Sequence, residues 1–137
     1  MMREFDIARS CSEYSDFYKC KTGCVAIYKG HVIAKGFNTS KTSPLQAKYN
    51  FMCRDFDGHQ SPASLHAEMM MISKIRYLDI DFRQVKVFIW RGKETPMLSK
   101  PCKACEKAMR DLGIRKVYYT SNNSFIKELY NDDISNN

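Results

Sequence analysis

The 137-residue sequence lacks several features that would define whole classes of protein. No stretch approaches the roughly 20 apolar residues that a membrane-spanning helix requires, so we expect no membrane contact. There is no internal repeat, low-complexity tract or Gly/Ser-rich linker. The first residues, Met1 to Asp6, contain two acids and no apolar run, so we expect no secretory signal peptide. These absences favour one soluble, cytoplasmic domain over residues 1–137.

The cysteine content and the net charge indicate which ligands and partners to expect. Six cysteines in such a chain predict thiols and metal ligands rather than disulfides, because reducing compartments keep thiols free. Four of them are most simply small buried apolar side chains, namely Cys11, Cys20, Cys24 and Cys53. The formal net charge of +7 favours a phosphate-bearing partner, either a nucleotide or a nucleic acid, although an ordinary solvated lysine surface would give the same charge.

Apolar periodicity predicts five helices. They cover about residues 3–18, Leu45–Phe51, a stretch from Ser64–His66 to Leu78, Cys102–Leu112 and Ser124–Leu129. Gly113 is placed to cap the fourth of these helices, and Ser124 to cap the fifth. The short second helix interrupts a long connection, residues 39–63, that is rich in turn residues and is therefore expected to be functional.

Four strands complete the prediction. They are Gly23–Tyr28, His31–Phe37, Val85–Trp90 and Lys116–Thr120. Lys29-Gly30 joins the first two strands as a tight hairpin turn. Helices alternate with the later strands, which indicates parallel crossovers. We therefore predict an α/β fold, a three-layer α/β/α sandwich whose mixed sheet has an antiparallel N-terminal hairpin followed by parallel strands.

Two short strings, His66-Ala67-Glu68 and Pro101-Cys102-Lys103-Ala104-Cys105, carry the chemistry. Both open helices that follow strands, so their helix N-termini should lie at the same edge of the sheet. Cys102 and Cys105 are three residues apart and face one side of their helix. His66, Cys102 and Cys105 are thus predicted to bind one Zn²⁺ per chain, and three protein ligands leave the fourth position open, as in catalytic zinc sites.

Glu68 is predicted to be the catalytic residue. It lies two residues after His66 and therefore points across the helix, where it can approach a zinc-activated water without binding the metal. A carboxylate in that position can take a proton and later deliver it to a ring nitrogen or a leaving amine.

Other interpretations of the cysteines stay open at this point. Cys102 and Cys105 could form a redox pair, although such a pair is typical of an early βαβ unit. Cys20 and Cys24 could join them in a four-cysteine structural zinc site, but this leaves Pro101 and His66 without a role.

With these residues assembled, the chain resembles the cytidine/deoxycytidylate deaminase superfamily, whose signature is H-x-E…P-C-x-x-C. The segments Lys21–Val25 and Gly36–Asn38 share in the resemblance, which spans most of the chain. It implies a cytidine deaminase-like fold, a contact from Asn38 to the sugar or base of the substrate, and recognition of the pyrimidine edge by the backbone at Ala67. A histidine as first ligand is similar to the deoxycytidylate, tRNA-adenosine and polynucleotide-cytosine branches, and we place the chain closest to deoxycytidylate deaminase-like proteins.

Two segments depart from the family pattern. Residues 91–100 insert about ten residues before Pro101, where the family's strand runs almost directly into the Pro-Cys motif. The connection from Asn38 to His66 carries basic and aromatic residues in place of a Gly/Pro-rich loop. Lys41 and Arg54 of this connection are predicted substrate contacts. If the substrate is a nucleotide, its single phosphate should be bound by one or two residues from both segments, namely Lys41, Lys48, Arg54 and Lys100.

The leading prediction is therefore hydrolysis of cytosine to uracil on a phosphorylated small molecule, dCMP to dUMP. The second is the same reaction, or adenine deamination, on single-stranded DNA or RNA, which the basic and aromatic residues 48–54 would suit. A third is an inactive zinc-binding module, against which the intact Glu68 argues. Homo-oligomer formation is left open.

Overall fold

A computed structural model describes residues 2–17, 20–53, 64–92, 95–122 and 124–130. Four helices form in these ranges: α1 (Met2–Ser12), α2 (Pro44–Met52), α3 (Ala67–Ile75) and α4 (Lys103–Leu112). Eight strands form: β1 (Lys21–Tyr28), β2 (His31–Phe37), β3 (Thr39–Thr42), β4 (Ser64–Leu65), β5 (Val85–Gly92), β6 (Pro96–Met97), β7 (Lys116–Ser121) and β8 (Ser124–Leu129). None of the helices formed by these residues is long and apolar enough to cross a membrane.

The central sheet has the strand order β2-β1-β5-β7-β8, with the short β6 paired to β5. The β1–β2 hairpin is antiparallel, and β1 is also antiparallel to β5. The pair β5–β7 is parallel, and α4 makes the crossover between these two strands. This confirms the predicted mixed sheet with an antiparallel hairpin on one side. A separate two-stranded ladder joins β3 to β4.

Helices cover both faces of this sheet. Along β5, Val87 and Ile89 point into the core formed with α3 and α4, whereas Phe88 and Trp90 point into the core formed with α1. The ring of Phe5 on α1 meets Phe88 edge-on, with centroids 5.3 Å apart. β5 is the middle strand of the sheet and is apolar on both sides because helices cover both of its faces. The fold is therefore a three-layer sandwich, as predicted.

The first helix is shorter than predicted. The periodic pattern indicated about residues 3–18, but α1 ends at Ser12, and Tyr14 is largely exposed beyond it. At Gly23 the backbones of α1 and β1 nearly touch, because a Cβ there would lie 1.8 Å from the carbonyl oxygen of Ala8. The last two turns of the helix therefore pack directly on the start of β1.

The last predicted helix is wrong. Ser124–Leu129 forms β8, which pairs antiparallel with β7 from Lys116–Leu129 to Ser121–Ser124. Phe125 and Leu129 are four apart and suggested a helical face, but the segment follows β7 after only two residues and can satisfy the backbone groups along its free edge. The hydroxyls of Ser121 and Ser124 also lie 2.6 Å apart across the turn.

The long connection after β2 contains the predicted short helix. α2 begins at Pro44 with Ser43 as N-cap, whose side chain accepts a hydrogen bond from the Gln46 N–H. The strands β3 and β4 then join the two ends of the connection, while residues 54–63 lie outside the described part of the chain.

Candidate metal centre and active site

Three potential metal ligands meet between the N-termini of two helices. His66 is the N-cap residue of α3, and Cys102 is the N-cap residue of α4. One ligand atom from each of His66, Cys102 and Cys105 lies within 4.8 Å of the other two. Both helices begin at the same edge of the sheet, as predicted. This placement brings together residues up to 39 positions apart in sequence.

The spacing of these atoms fits zinc. Nδ1 of His66 lies 3.5 Å from Sγ of Cys102 and 3.4 Å from Sγ of Cys105. With zinc bonds of about 2.3 Å to sulfur and 2.0–2.1 Å to nitrogen, a tetrahedral angle puts these atoms about 3.6 Å apart. One imidazole and two thiol sulfurs are also the donor set that zinc prefers, so the residues can hold one zinc ion.

The protonation of the cluster favours a bound cation. A hydrogen bond from the Cys105 thiol lowers the pKa of Cys102 to about 4, so Cys102 is a thiolate at neutral pH. The pKa of the buried Cys105 is raised, first because it donates to Cys102 and then because of its burial. The hydrogen bond to Cys102 also raises the pKa of His66. A divalent cation would displace the proton that the two cysteines share.

Glu68 lies beside the cluster without belonging to it. It is in the first turn of α3 and only 6% exposed, and it lines one cavity together with His66 and Cys102. Burial raises the pKa of the Glu68 carboxyl, and the charge of His66 opposes that shift. The arrangement suits a group that exchanges protons rather than one that binds metal.

The cavity has a volume of about 250 Å³. Six residues that the sequence singled out line it: Asn38, His66, Ala67, Glu68, Lys100 and Cys102. The other four lining residues are Cys20, Thr22, Arg91 and Ser99, none of which was predicted individually as a substrate contact. The cavity thus lies at the N-terminus of α3, beside the start of β1 and the ends of β2 and β5.

Asn38 is already held by the backbone. Its side-chain oxygen accepts from the Thr22 N–H at 2.9 Å, and its side-chain nitrogen donates to the Cys20 carbonyl at 3.1 Å. An amide has two N–H groups and two acceptor positions, so one of each is left for a ligand. These bonds fix Asn38 at the cavity wall.

Of two predicted substrate contacts, one is placed away from this cavity and the other cannot be located in the described part of the chain. Lys41 lies exposed on β3 and is not among the lining residues, and Arg54 lies outside the described residues. Lys48 lies on α2, with its ammonium 5.8 Å from the centre of the Tyr49 ring. Of the three candidate phosphate ligands that the structure describes, Lys41, Lys48 and Lys100, only Lys100 lines the cavity.

Arg91 is the most informative missed residue. Its charge lowers the pKa of both His66 and Glu68, although larger effects leave both raised overall. A signal was available, since Arg91 directly follows the buried residues of β5, at the sheet edge where the ligands were expected. Arg91 was not predicted individually, because residues 91–100 were interpreted only as an insertion relative to the family pattern.

The insertion at residues 91–100 folds back onto the sheet. β5 continues to Gly92, and β6 returns antiparallel to it, pairing Met97 with Arg91. The hydroxyl of the buried Ser99 then donates to the carbonyl of Ile89 at 2.9 Å and accepts from the Thr120 N–H at 2.7 Å. These bonds return the chain to the end of β5, three residues before Cys102.

The other cysteines do not extend the cluster. All six cysteines are free. Cys11 and Cys24 are buried, as predicted, whereas Cys20 and Cys53 are only half-buried. Among the described residues the ligand cluster contains neither Cys20 nor Cys24, which removes the support for a four-cysteine site.

A three-ligand cluster beside a buried carboxylate in a cavity is the arrangement expected of a zinc-dependent hydrolytic enzyme. The sequence matches the cytidine and deoxycytidylate deaminase zinc-binding region over residues 3–121. The match covers most of the chain, so the protein belongs to this family and is a zinc-dependent hydrolytic deaminase. Among curated proteins, none matches the sequence significantly.

Solved structures share the fold. The chain is similar to the dCMP deaminase of the cyanophage S-TIM5 in apo form, at 20% identity and a TM-score of 0.57 over 88% of this chain and 81% of that one. The complex of that enzyme with dCMP and dUMP gives 24% identity and a TM-score of 0.57 over 86% and 78%. A cytidine deaminase from Burkholderia pseudomallei gives 13% identity and a TM-score of 0.62 over 93% and 91%. These likenesses concern the fold and leave the substrate to be argued from the cavity.

Proposed function

We propose that this protein deaminates the cytosine of a phosphorylated nucleotide and that its substrate is dCMP, which it converts to dUMP. The single observation that carries the proposal is one cavity whose lining includes His66, Cys102 and Glu68 together with two cationic side chains, Arg91 and Lys100. The similar cyanophage structure in complex with dCMP and dUMP supports the same substrate.

The proposed chemistry assigns proton transfer to Glu68. His66, Cys102 and Cys105 would hold the zinc, which when bound lowers the pKa of a coordinated water to about 7. Glu68 accepts a proton from the water that attacks C4 and donates it to ring nitrogen N3. Glu68 then carries the proton of the added hydroxyl to the amino group, the C4–N bond breaks, and ammonia leaves as uracil forms.

The proposed orientation of the base uses backbone and amide groups at the cavity wall. Ala67 is the first residue of α3, where backbone N–H groups have no acceptor within the helix. Such an N–H can donate to the pyrimidine edge. The remaining donor and acceptor of Asn38 can contact the sugar, because its other positions are already bonded to β1 and the segment before it.

The proposed phosphate contacts are Arg91 and Lys100. Arginine can donate two parallel hydrogen bonds to a phosphate, and lysine adds a compact charge. Both line the cavity, whereas Lys41, which the sequence suggested, lies exposed on β3. We therefore propose Arg91 and Lys100, in the insertion before Pro101, in place of Lys41 as phosphate contacts.

A comparison of four substrates tests the proposal. The purified zinc protein is incubated separately with dCMP, CMP, deoxycytidine and a cytosine-containing oligonucleotide, and uracil formation is measured. We expect dCMP to be turned over with the highest kcat/KM. Deoxycytidine lacks the phosphate, so its lower kcat/KM should come mainly from a higher KM. Turnover of the oligonucleotide without turnover of dCMP would reverse the assignment.

Single-stranded nucleic acid is a second candidate substrate, with adenine as an alternative base. Two observations favour a strand: Lys48 lies over Tyr49 on α2, and Phe51 on the same helix is 70% exposed, as a base-stacking residue would be. Strand binding should weaken steeply with salt, with a log–log slope of about −0.7 per phosphate contacted. A nucleotide held by two cations should show a shallow dependence, so a salt titration separates the candidates.

We further propose that residues 1–137 act as one deaminase domain, since the two cores lie on opposite faces of one sheet. A cytoplasmic location stays a prediction, and the free cysteines are consistent with it, because reducing compartments keep thiols free. Formation of a homo-oligomer likewise stays open to measurement.

A further inference from the structure

Gln46 on α2 is a polar residue that lies fully buried beside the metal centre. Its exposed fraction is 0%, although glutamine is seldom fully buried. Its side-chain nitrogen donates to Oδ1 of Asn50 at 2.9 Å, and its side-chain oxygen accepts from the backbone N–H of His66 at 3.0 Å. The second bond joins α2 to a predicted zinc ligand 20 residues further along the chain.

The start of α3 cannot satisfy this N–H from its own sequence. In a capping box, a Glu or Gln at the third helical position accepts from the N–H of the N-cap residue. Here the N-cap residue is His66, and the third position is Met69, which is fully buried in the core. His66 itself makes no side-chain cap bond, and its Nδ1 faces the two cysteines. Gln46 supplies from another helix the acceptor that a capping box would supply from within α3.

The first turn of α3 is also fixed by close packing. A Cβ on Gly36 of β2 would lie 2.1 Å from the carbonyl oxygen of Ala67, so β2 touches this turn directly. The backbone at His66 and Ala67 is thus held by β2 as well as by Gln46. A ring nitrogen must be placed to within tenths of an ångström for metal binding, and the partners that orient a ligand affect metal affinity.

We propose that Gln46 is a positioning residue that orients His66 for zinc binding. The inference rests on the proposed ligand set but not on the identity of the substrate. It also gives the connection after β2 a role in building the metal centre.

Three variants of the full-length protein test this. Gln46→Met keeps the length of the side chain but removes the acceptor, Gln46→Glu keeps an acceptor oxygen, and Val25→Ala opens a cavity in the α1-side core on the other face of the sheet. Zinc affinity is measured by competition with a chromophoric chelator, and unfolding of the metal-free proteins by denaturant. We expect Gln46→Met to lose about 10–100-fold in zinc affinity, as for other partners of metal ligands, and Gln46→Glu to stay near wild type.

The Val25→Ala variant separates positioning from general destabilisation, since it should lower stability while leaving zinc affinity unchanged. Wild-type affinity in Gln46→Met, or an equal loss in Val25→Ala, would overturn the inference. If wild-type protein binds no zinc, the ligand set fails, and this inference fails with it. Should Gln46→Met not fold, hydrogen exchange of the wild-type His66 amide decides: protection supports the bond, and exchange at the rate of an unprotected amide refutes it.

Discussion

Replacing Glu68 by glutamine tests the proposed proton transfers most directly. The change is nearly isosteric, and Glu68 is not one of the three clustered ligands, so zinc content and fold should be retained. A single general acid–base group is typically worth 10²–10⁴-fold in rate. Glu68 is proposed to move protons in two steps, and it is the one carboxylate among the described residues that line the cavity.

We therefore expect kcat to fall by at least about 10⁴-fold, which corresponds to about 5.5 kcal/mol of transition-state stabilisation at 1.36 kcal/mol per tenfold. Burial supports the upper end of the range, because a residue that is 6% exposed leaves little room for solvent to replace its carboxylate. The assay follows release of ammonia from dCMP, with zinc measured in the same preparation by elemental analysis.

Glu106→Gln is the matched control. Glu106 lies in the first turn of α4, pairs with Arg110 at 3.2 Å, and is not among the residues that line the cavity. It should keep wild-type turnover. If Glu68→Gln retains wild-type turnover with full zinc, another group carries the protons and the assigned mechanism is wrong.

Three further changes probe the ligands, the phosphate contact and a hydrogen-bonded carboxylate. Replacing Cys102 and Cys105 together by alanine should lower both zinc content and the melting temperature, because metal binding is coupled to folding; full zinc occupancy would disprove the ligand set. Arg91→Ala should raise KM for dCMP by about 10-fold or more, the equivalent of one charge-assisted hydrogen bond, and leave KM for deoxycytidine unchanged; equal effects on both would exclude a phosphate contact. Asp16→Asn should lower the melting temperature at pH 7, and this difference should shrink as the pH falls below the unfolded pKa. Hydrogen bonds from the Ser40 hydroxyl and N–H lower the pKa of Asp16 in the folded state, so the contribution of its carboxylate is lost as the pH falls through the folded value. A difference independent of pH would contradict this.

The elements that follow from local pattern were predictable. The β1–β2 hairpin and the start of α4 carry turn and cap residues that act within a few positions of the sequence, and Gly113 adopts the left-handed conformation expected of a helix C-cap, with φ 110°. The ligand cluster was predictable for a second reason. Helices that follow strands of one sheet begin at one edge, so motifs at two helix starts meet without any knowledge of packing.

The errors arose where the surroundings decide the conformation. Ser124–Leu129 has a spacing that fits a helix and an apolar content that fits a strand, and the free edge of β7 selects the strand. Likewise the periodic pattern of α1 continues past Ser12, but the helix ends there and Asp16 instead accepts hydrogen bonds from Ser40, at the start of the connection after β2. Neither constraint is visible within the segment itself.

Gln46 and Arg91 escaped prediction for a related reason. Each is a polar residue whose proposed role depends on a group in a distant part of the chain, the His66 N–H for Gln46 and the cavity for Arg91. Gln46 matters because α3 has Met69 where a capping box would place an acceptor, and Arg91 matters because the insertion returns to the sheet through Ser99 and leaves the guanidinium beside the cavity. Motifs locate the atoms that react, whereas the residues that hold those atoms are found by asking which buried N–H or charge still needs a partner.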